Sequence, residues 1–548
     1  MNKFNILPND FILGLMTPLT VNQHDGCAAL VSNGETLSCC EEERYIRYKH
    51  GMGNLPINAI SAALKYKNLS IKDIKGIFIS SIAHPDLKRR VRLYLEHYFG
   101  FSPEIYMIDH QVAHLASAYY PSGFEDSMLL SIDGYGDFKS MACATGKKNK
   151  IEVFSTKDLT QSLGILYQTL TQFIGFASVG DEYKLMGLSA YGKPEVDLSP
   201  IIKITDEDYF INDDFLKREP QTKNVKEPRY GPKLIELFGQ PRRKGEKISD
   251  FHKNFAFAVQ DMFEKAVIAT VKKMYKKTKL RNLCIAGGCA LNCVTNMKLL
   301  ELDFIDKIYI QPAATDQGSA LGAALYASSE SGIKSKTIPN YYLGSQYSNE
   351  DIKNSLKLCG SKYEYLSNEE ISIKASESLK NGKIIALYQG RSEFGPRALG
   401  NRSILANAGI PNIKDQINRR IKFREEFRPF APAVLKESAN EIFHLKQDSP
   451  FMTITSKVQK EWKNKIPGVV HVDGTARVQT VDEKQNKVFY SIIKEFKNKT
   501  NIPVIVNTSF NIKGEPIVET PLDAIRTFFS CGLDELYIGN YLVKKNSL

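Results

Sequence analysis

The sequence predicts an α/β protein of two domains, and three observations carry that prediction. A strand, turn and hairpin pattern occurs twice in the first third of the chain, strand-to-helix turns rich in glycine follow it, and a polar stretch punctuated by Gly and Pro over residues 328–342 separates these from a further series of helix and strand patterns. The expected domains are residues 1–340 and 341–548. A chain of 548 residues also exceeds what one ordinary core accommodates.

In the first copy of the pattern, residues 11–16 read as a strand, TPLTVNQHDG as a polar turn, and residues 27–32 and 35–40 as strands joined by Asn33-Gly34. In the second, residues 128–132 run into DGYGDFKS, followed by strands at 141–145 and 151–154 with a turn placed at Gly146. Between the copies, residues 55–65 and 87–99 carry helical periodicity and 74–80 read as a strand. Further on come a long amphipathic helix over 255–275, a strand over 283–286, a Gly287-Gly288 turn, a helix over 290–300, and a second strand-to-helix turn within 309–322. After the boundary, 371–381 reads as helix, and 384–388 and 503–510 as buried strands. A duplicated strand-turn-strand unit that opens an α/β lobe resembles the actin, sugar kinase and Hsp70-like nucleotide-binding fold.

Composition narrows the class. Hydrophobic residues at 43% and charged residues at 24% fit a globular protein, and neither an apolar run of membrane-spanning length nor a signal-peptide pattern is found, so a cytoplasmic protein with no membrane partner is expected. The net charge of +12 favours anionic partners. Zinc-finger spacing and basic–aromatic interleaving are missing, so no nucleic acid is expected and phosphorylated small molecules are favoured. Part of the basic excess lies in residues 217–247, read as a surface insertion. Nine cysteines at irregular spacing, including the adjacent Cys39 and Cys40, suit reduced thiols, with Cys289 and Cys293 as core packing.

Two regions carry chemistry. His110 and His114 lie one helical turn apart, and the strand that follows delivers Asp133, Gly134 and Asp137 to a turn, a combination that suits a metal cage. Asp316 is either a residue of a helix N-terminus or the carboxylate that completes that cage. The Gly287-Gly288 turn can offer backbone amides to a nucleotide, and Lys184, beside Glu182, either meets an anion or lies on the surface. In the second domain, Gly390, Gly395 and Gly400 bracket Arg391, Arg397 and Arg402, a pattern suited to binding phosphate or carboxylate. Lys422, Arg424 and Arg428, then Arg477 and the Asn507-Thr508-Ser509 strand end, extend that cationic set.

The order HDGCAALV, EEER, HQVAHLASAY, SIDGYGD, GDEYKLMGL, GGCALNC, PAATDQGSALGAAL, GRSEFGPRALGNRS, FREEFRPFAPAV and NTSFNIKGEPIV resembles the NodU/CmcH family of O-carbamoyltransferases across essentially the whole chain. The resemblance implies an N-terminal domain like the threonylcarbamoyl-transfer enzymes and a C-terminal α/β domain that forms carbamoyl-adenylate. It implies that carbamoyl phosphate and ATP give carbamoyl-adenylate and pyrophosphate, after which the carbamoyl group passes to a hydroxyl of a small acceptor such as a sugar, antibiotic or other secondary metabolite, releasing AMP. His110, His114, Asp133 and Asp316 would then be metal ligands, with iron(II) implied and manganese or zinc equally compatible with the donor set. Magnesium would accompany ATP. Asp137, Glu182, Lys184, Gly287, Gly288 and Asn292 would line the nucleotide site of the first domain. Arg397, Arg402, Lys422, Arg428, Arg477, Asn507 and Ser509 would hold carbamoyl phosphate and ATP, the first three also stabilising the crowded anionic transition state. His24 would be the base that takes the proton of the acceptor hydroxyl. The alternative reading is a tRNA threonylcarbamoyladenosine-type modification enzyme, which uses similar halves.

Overall fold

The computed structural model describes residues 4–19, 23–177, 180–217 and 228–545. Residues 20–22 of the first polar turn and 218–227 of the basic stretch lie outside the described residues. The chain packs as two units, one of Met1–Leu37, Met52–Pro56 and Asn68–Ile338, the other of Ser38–Gly51, Ile57–Lys67 and Pro339–Leu548. The change of unit at Ile338 falls in the polar stretch expected to separate domains, while two short N-terminal segments join the second unit.

The first unit contains two five-stranded sheets of equivalent order. Strands β1 (Phe11–Met16), β2 (Cys27–Ser32), β3 (Glu35–Glu41, of which residues 38–41 belong to the second unit), β4 (Ile74–Ile79) and β5 (Glu104–Met107) lie in the order β3-β2-β1-β4-β5. The second sheet uses β6 (Asp126–Gly136), β7 (Lys139–Lys147) and β8 (Lys150–Asp158); a separate hairpin, β9 (Ile202–Ile204) and β10 (Tyr209–Ile211), intervenes before β11 (Asn282–Ala286) and β12 (Lys307–Ile310). Its order, β12-β11-β6-β7-β8, repeats the first: an antiparallel meander whose opening strand pairs in parallel with a later one. The duplication read from the hairpin pattern is therefore a duplication of sheets. Asn33 and Gly34, with φ of 50° and 67°, form the left-handed pair that a two-residue hairpin turn requires. The equivalent turn of the second copy lies at Lys148 and Asn149, not at Gly146. Gly146 sits within β7 opposite Ser127, where a Cβ would meet the Tyr119 ring at 2.5 Å, so packing rather than chain reversal demands glycine there.

Two helices bring the sheets' functional ends together. The helix His110–Ser122 packs against the helix Asp316–Glu330. Small residues line both, and a Cβ on Gly322 would lie 1.8 Å from the Ala113 carbonyl oxygen. On another side of the same helix, a Cβ on Gly14 of β1 would lie 1.8 Å from the carbonyl oxygen of Ala320. Neither helix nor strand can approach this closely with a larger residue at these positions.

The second unit is built on an eight-stranded mixed sheet. Its strands are β13 (Glu364–Tyr365), β14 (Ile385–Tyr388), β15 (Arg402–Asn407), β16 (Ala431–Leu435), then the separate pair β17 (Thr455–Lys457) and β18 (Thr475–Arg477), then β19 (Gln479–Val481), β20 (Val504–Ser509), β21 (Glu535–Ile538) and β22 (Tyr541–Lys544). The sheet order is β13-β22-β21-β14-β15-β20-β16-β19. Strand alternation splits its core in two: Ile385, Leu387 and Ile505 pack under Leu379 and Phe489, while Ala386, Tyr388 and Val506 face Leu356 and Phe528. Both faces are covered, which explains why these strands read as unbroken apolar runs. No helix among the described residues is long and apolar enough to cross a membrane.

Replacing Gly322 with Ala should force the two central helices apart. We expect a lower midpoint of thermal unfolding, a loss of about 1–3 kcal/mol or more from overpacking, together with weaker binding of added Mn2+ because Asp316 moves with its helix. An unchanged melting curve would show that the contact tolerates a Cβ.

Candidate metal centre and anion-binding loop

The four donors expected to share a metal meet in the first unit. Asp109 caps the helix by accepting the Gln111 and Val112 amides at 3.0 and 3.1 Å, so the helix begins at His110 and its first two turns point both imidazoles inward. The two Nε2 atoms are 3.0 Å apart. Asp316 Oδ1, from the first residue of its helix, lies 3.5 Å from each of them. Asp133 Oδ2, from the irregular end of β6, lies 3.5 Å from His110 and 3.9 Å from His114. All four ligand atoms fall within 4.8 Å of one another, and His110, His114 and Asp133 are buried.

Several supports orient this set. His110 Nδ1 lies 3.2 Å from the Ser80 carbonyl oxygen, which favours a proton on Nδ1 and leaves the Nε2 lone pair facing the carboxylates. Gly136 provides the floor under that ring: a Cβ there would come within 2.0 Å of His110 Cδ2. The Gly288 amide donates to Asp133 Oδ1 at 3.1 Å, leaving Oδ2 for the cluster. Burial opposes charge on His110, but Asp316 and Asp133 outweigh it and raise its pKa. Burial likewise works against the Asp316 carboxylate, and His110, His114 and His24 hold its pKa well below the usual range. The fit to a divalent ion is good in donor type and spacing, since nitrogens bound at about 2.1 Å and separated by about 3 Å subtend roughly a right angle at the metal.

The remaining first-unit candidates are distributed around this cluster. His24 Nδ1 lies 3.2 Å from Asp25 Oδ2, and about a third of the His24 side chain, 32%, is exposed. Its pKa is pushed up to about 10: burial acts downward, and Asp25, then Asp316 and Asp133, act upward more strongly. Asp137 accepts from Ser81 Oγ and the amides of Ile82, Ala83 and His110, each at 2.9 Å, so it ties the loop after β4 to the start of the histidine helix. Asn292 caps the helix Cys293–Leu300 through the Thr295 amide at 3.1 Å and also bonds Gln260. Glu182 accepts from Gln168 at 3.2 Å, and Lys184 pairs with Asp181 at 2.9 Å. Gly287, at φ 88°, passes so close to β6 that a Cβ would lie 2.2 Å from the Ile132 carbonyl oxygen. Arg229 was hidden from sequence reasoning in what read as a surface insertion; it is half-buried, and burial lowers its pKa against the fields of Tyr135 and Glu182. All nine cysteines are free thiols.

In the second unit, the loop from Gly390 to Arg402 is held from many sides. The buried Glu393 Oε1 accepts the amides of Leu399, Asn401 and Arg402 at 2.7, 2.8 and 3.1 Å. Arg402 is fully buried, with its guanidinium 3.7 Å above the Tyr388 ring and its donors directed to the carbonyls of Gln389, Asn401 and Gly390. Arg391 stacks on Tyr66 at 4.0 Å and bonds the Gly344 carbonyl. These two arginines organise the loop, whereas Arg397 is half-buried at its tip. Asn507 Nδ2 donates to the Ala398 carbonyl and to Gln479, so this residue of β20 also clamps the loop.

At the end of β20 a cationic centre forms. The buried Lys422 Nζ donates to the Ser509 carbonyl at 2.5 Å, the Asn511 carbonyl at 3.0 Å and Asn511 Oδ1 at 2.7 Å, with Ser509 Oγ at 3.3 Å. All these partners are neutral oxygens. Burial, then Arg424 and Arg428, push the Lys422 pKa well down. Arg428 lies 3.6 Å from Glu425, and Arg477 is half-buried on β18. Asn511 and Glu393 went unremarked in the sequence although both stand inside the motifs singled out there.

Family comparison now adds to this geometry. A model described as carbamoyltransferase N-terminus matches residues 89–325, and one described as carbamoyltransferase C-terminus matches residues 376–545. The nodulation protein NolNO of Sinorhizobium fredii is 36% identical over 99% of this chain and 80% of its own length. The chain belongs to the carbamoyltransferase family. This makes it a member of a transferase family with NolO/NodU-type relatives; NolO of Bradyrhizobium diazoefficiens is 39% identical over 80% of this chain and 79% of its own. Among solved structures, T. kodakarensis HypF is similar at 13% identity and a TM-score of 0.34, over 59% of this chain and 47% of that one.

Asp316→Asn is expected to weaken Mn2+ or Zn2+ binding by more than about tenfold, and Gly136→Ala, which keeps every donor but displaces the His110 ring, by about 10–100-fold. Calorimetric titration of the apo-protein with each metal measures both; wild-type affinity in either variant would count against a shared site.

Proposed function

We propose that this carbamoyltransferase-family chain is an ATP-dependent O-carbamoyltransferase that works through carbamoyl-adenylate. The observation that carries the reading is the placing of Lys422: its buried Nζ meets neutral oxygens, with Arg424 and Arg428 near enough to disfavour its charge, so an anion bound there would restore the charge that burial and these neighbours oppose. Phosphate groups of carbamoyl phosphate and ATP are suitable anions. Carbamate, released from carbamoyl phosphate by water with loss of orthophosphate, attacks the α-phosphorus of ATP; the new P–O bond forms as the bond to pyrophosphate breaks. Arg397, Lys422, Arg428 and Arg477 neutralise the charge that converges there, and Ser509 orients it. Asn507 and Arg402 act from behind, by holding the loop that carries Arg397.

In the first unit, His110, His114, Asp133 and Asp316 would hold a divalent metal, whose chemistry there is to grip nucleotide phosphate. Iron(II) is the assignment we favour from the family resemblance, with manganese and zinc compatible with the same donors. Asp137 orients the histidine helix, and Glu182, Lys184, Gly287 and Gly288 border the region in which the nucleotide of the adenylate would lie. His24, held by Asp25, takes the acceptor proton, so that the hydroxyl oxygen bonds the carbamoyl carbon and AMP leaves with the electron pair. The acceptor is a small hydroxylated molecule.

Incubation of metal-replete protein with ATP, carbamoyl phosphate and a panel of hydroxylated acceptors should yield pyrophosphate and AMP. Neither product with any acceptor would contradict the proposal, and a requirement for threonine would favour the tRNA-modification alternative. Arg397→Ala should lower adenylate formation by about 100-fold or more, on the scale of a lost transition-state contact. His24→Ala should spare that step and slow transfer. Because His24 must be neutral to act as base and its pKa is raised, the wild-type transfer rate should climb as pH rises from 7 to 9, and His24→Ala should flatten that limb.

A further inference from the structure

The EEER motif at residues 41–44 has no part in the chemistry above, yet Glu41, Glu42 and Arg44 are buried in the second unit. Segment Ser38–Gly51 belongs to that unit, where the Cys39 amide donates to the Leu343 carbonyl at 2.9 Å. Glu42 anchors the helix Ile57–Lys65 by accepting from Asn58 Nδ2 at 2.6 Å and the Ala59 amide at 2.7 Å. Glu41 and Arg44, 3% and 2% exposed, form an ion pair with each other and turn to a single residue of the arginine loop. Arg44 Nη2 donates to the Gly395 carbonyl at 2.7 Å, and Glu41 Oε1 accepts the Gly395 amide at 3.2 Å. Arg47 adds bonds to the Ile517 and Pro516 carbonyls at 2.7 and 2.9 Å, which fix the segment in place.

Gly395 is the residue that a clamp of this kind would choose. Its φ of 112° suits only glycine, the rigid Pro396 follows, and Arg397 comes next. Both polar atoms of Gly395 are therefore held before the chain reaches Arg397, and Glu393 holds the amides of Leu399, Asn401 and Arg402 after it. A buried ion pair adds little net stability compared with apolar residues of similar size, so its directional bonds are its distinctive contribution.

We propose that Glu41 and Arg44 are positioning residues for Arg397, making this N-terminal segment a working part of the anion-binding loop. The proposal rests on the reading of that loop as the carbamoyl phosphate and ATP site. The test is a double-mutant cycle in the full-length protein, with carbamoyl phosphate binding measured by calorimetry for wild type, Arg44→Gln, Arg397→Ala and the double variant. Arg44→Gln should weaken binding about tenfold or more, the scale of a lost charge-assisted hydrogen bond. In the Arg397→Ala background the same substitution should change affinity less than about twofold, because the residue it positions is gone. Equal losses in both backgrounds would indicate a merely structural role, and no loss in the wild-type background would remove Arg44 from the site; either result overturns the proposal. Should Arg44→Gln fail to fold, Glu41→Gln, which keeps the side-chain shape, takes its place in the cycle under the same criteria. If wild type does not bind carbamoyl phosphate, the functional reading fails, and the cycle run with pyrophosphate as probe still decides whether Arg44 acts through Arg397. Binding of neither anion overturns both.

Discussion

The close contact between the helices His110–Ser122 and Asp316–Glu330 is the constraint on which the first unit depends. Each helix belongs to a different copy of the duplicated sheet unit, and together they bring three of the four donors: two imidazoles from the first and a carboxylate from the second, with Asp133 supplied by β6. A donor cluster less than 5 Å across tolerates little displacement of either helix, so the residues that permit contact, Gly322 against Ala113 and Gly14 against Ala320, determine the chemistry indirectly. Gly136 applies the same logic at the level of one ring. The donor cluster is thus a product of backbone approach, and the histidines are its visible part.

The second unit handles charge differently. It buries cations at two of its key positions, and each is accounted for in a different way. Arg402 is satisfied by backbone carbonyls and the face of Tyr388, a self-contained arrangement with the character of scaffolding. Lys422 meets neutral oxygens among the described residues, while burial and then the neighbouring guanidinium groups push its pKa down. Two buried residues of similar charge are therefore satisfied in different ways. Burial and partner type separate them; residue identity does not.

Much of this was legible in the sequence. The paired hairpins announced the two equivalent sheets because period-two alternation and an Asn-Gly turn are local signals. His110 and His114 were placed on one helix face by spacing alone. Other features depend on contacts distant in sequence and had no local mark. Gly146 looked like a turn because glycine serves both chain reversal and close packing, and only the Tyr119 ring distinguishes the two uses. Arg402 looked like a ligand-binding residue because arginine spacing in a loop says nothing of how many carbonyls surround each guanidinium. The EEER motif was visible as a string, but its partner, Gly395, lies some 350 residues downstream, beyond the reach of any periodicity argument.

The central claim is that carbamoyl-adenylate forms before the acceptor is engaged. Exchange of labelled pyrophosphate into ATP, with carbamoyl phosphate supplied and every acceptor withheld, tests it most directly. The account predicts label in ATP that depends on carbamoyl phosphate and disappears in Arg397→Ala. Label that never enters ATP, in wild-type protein loaded with metal, would contradict it.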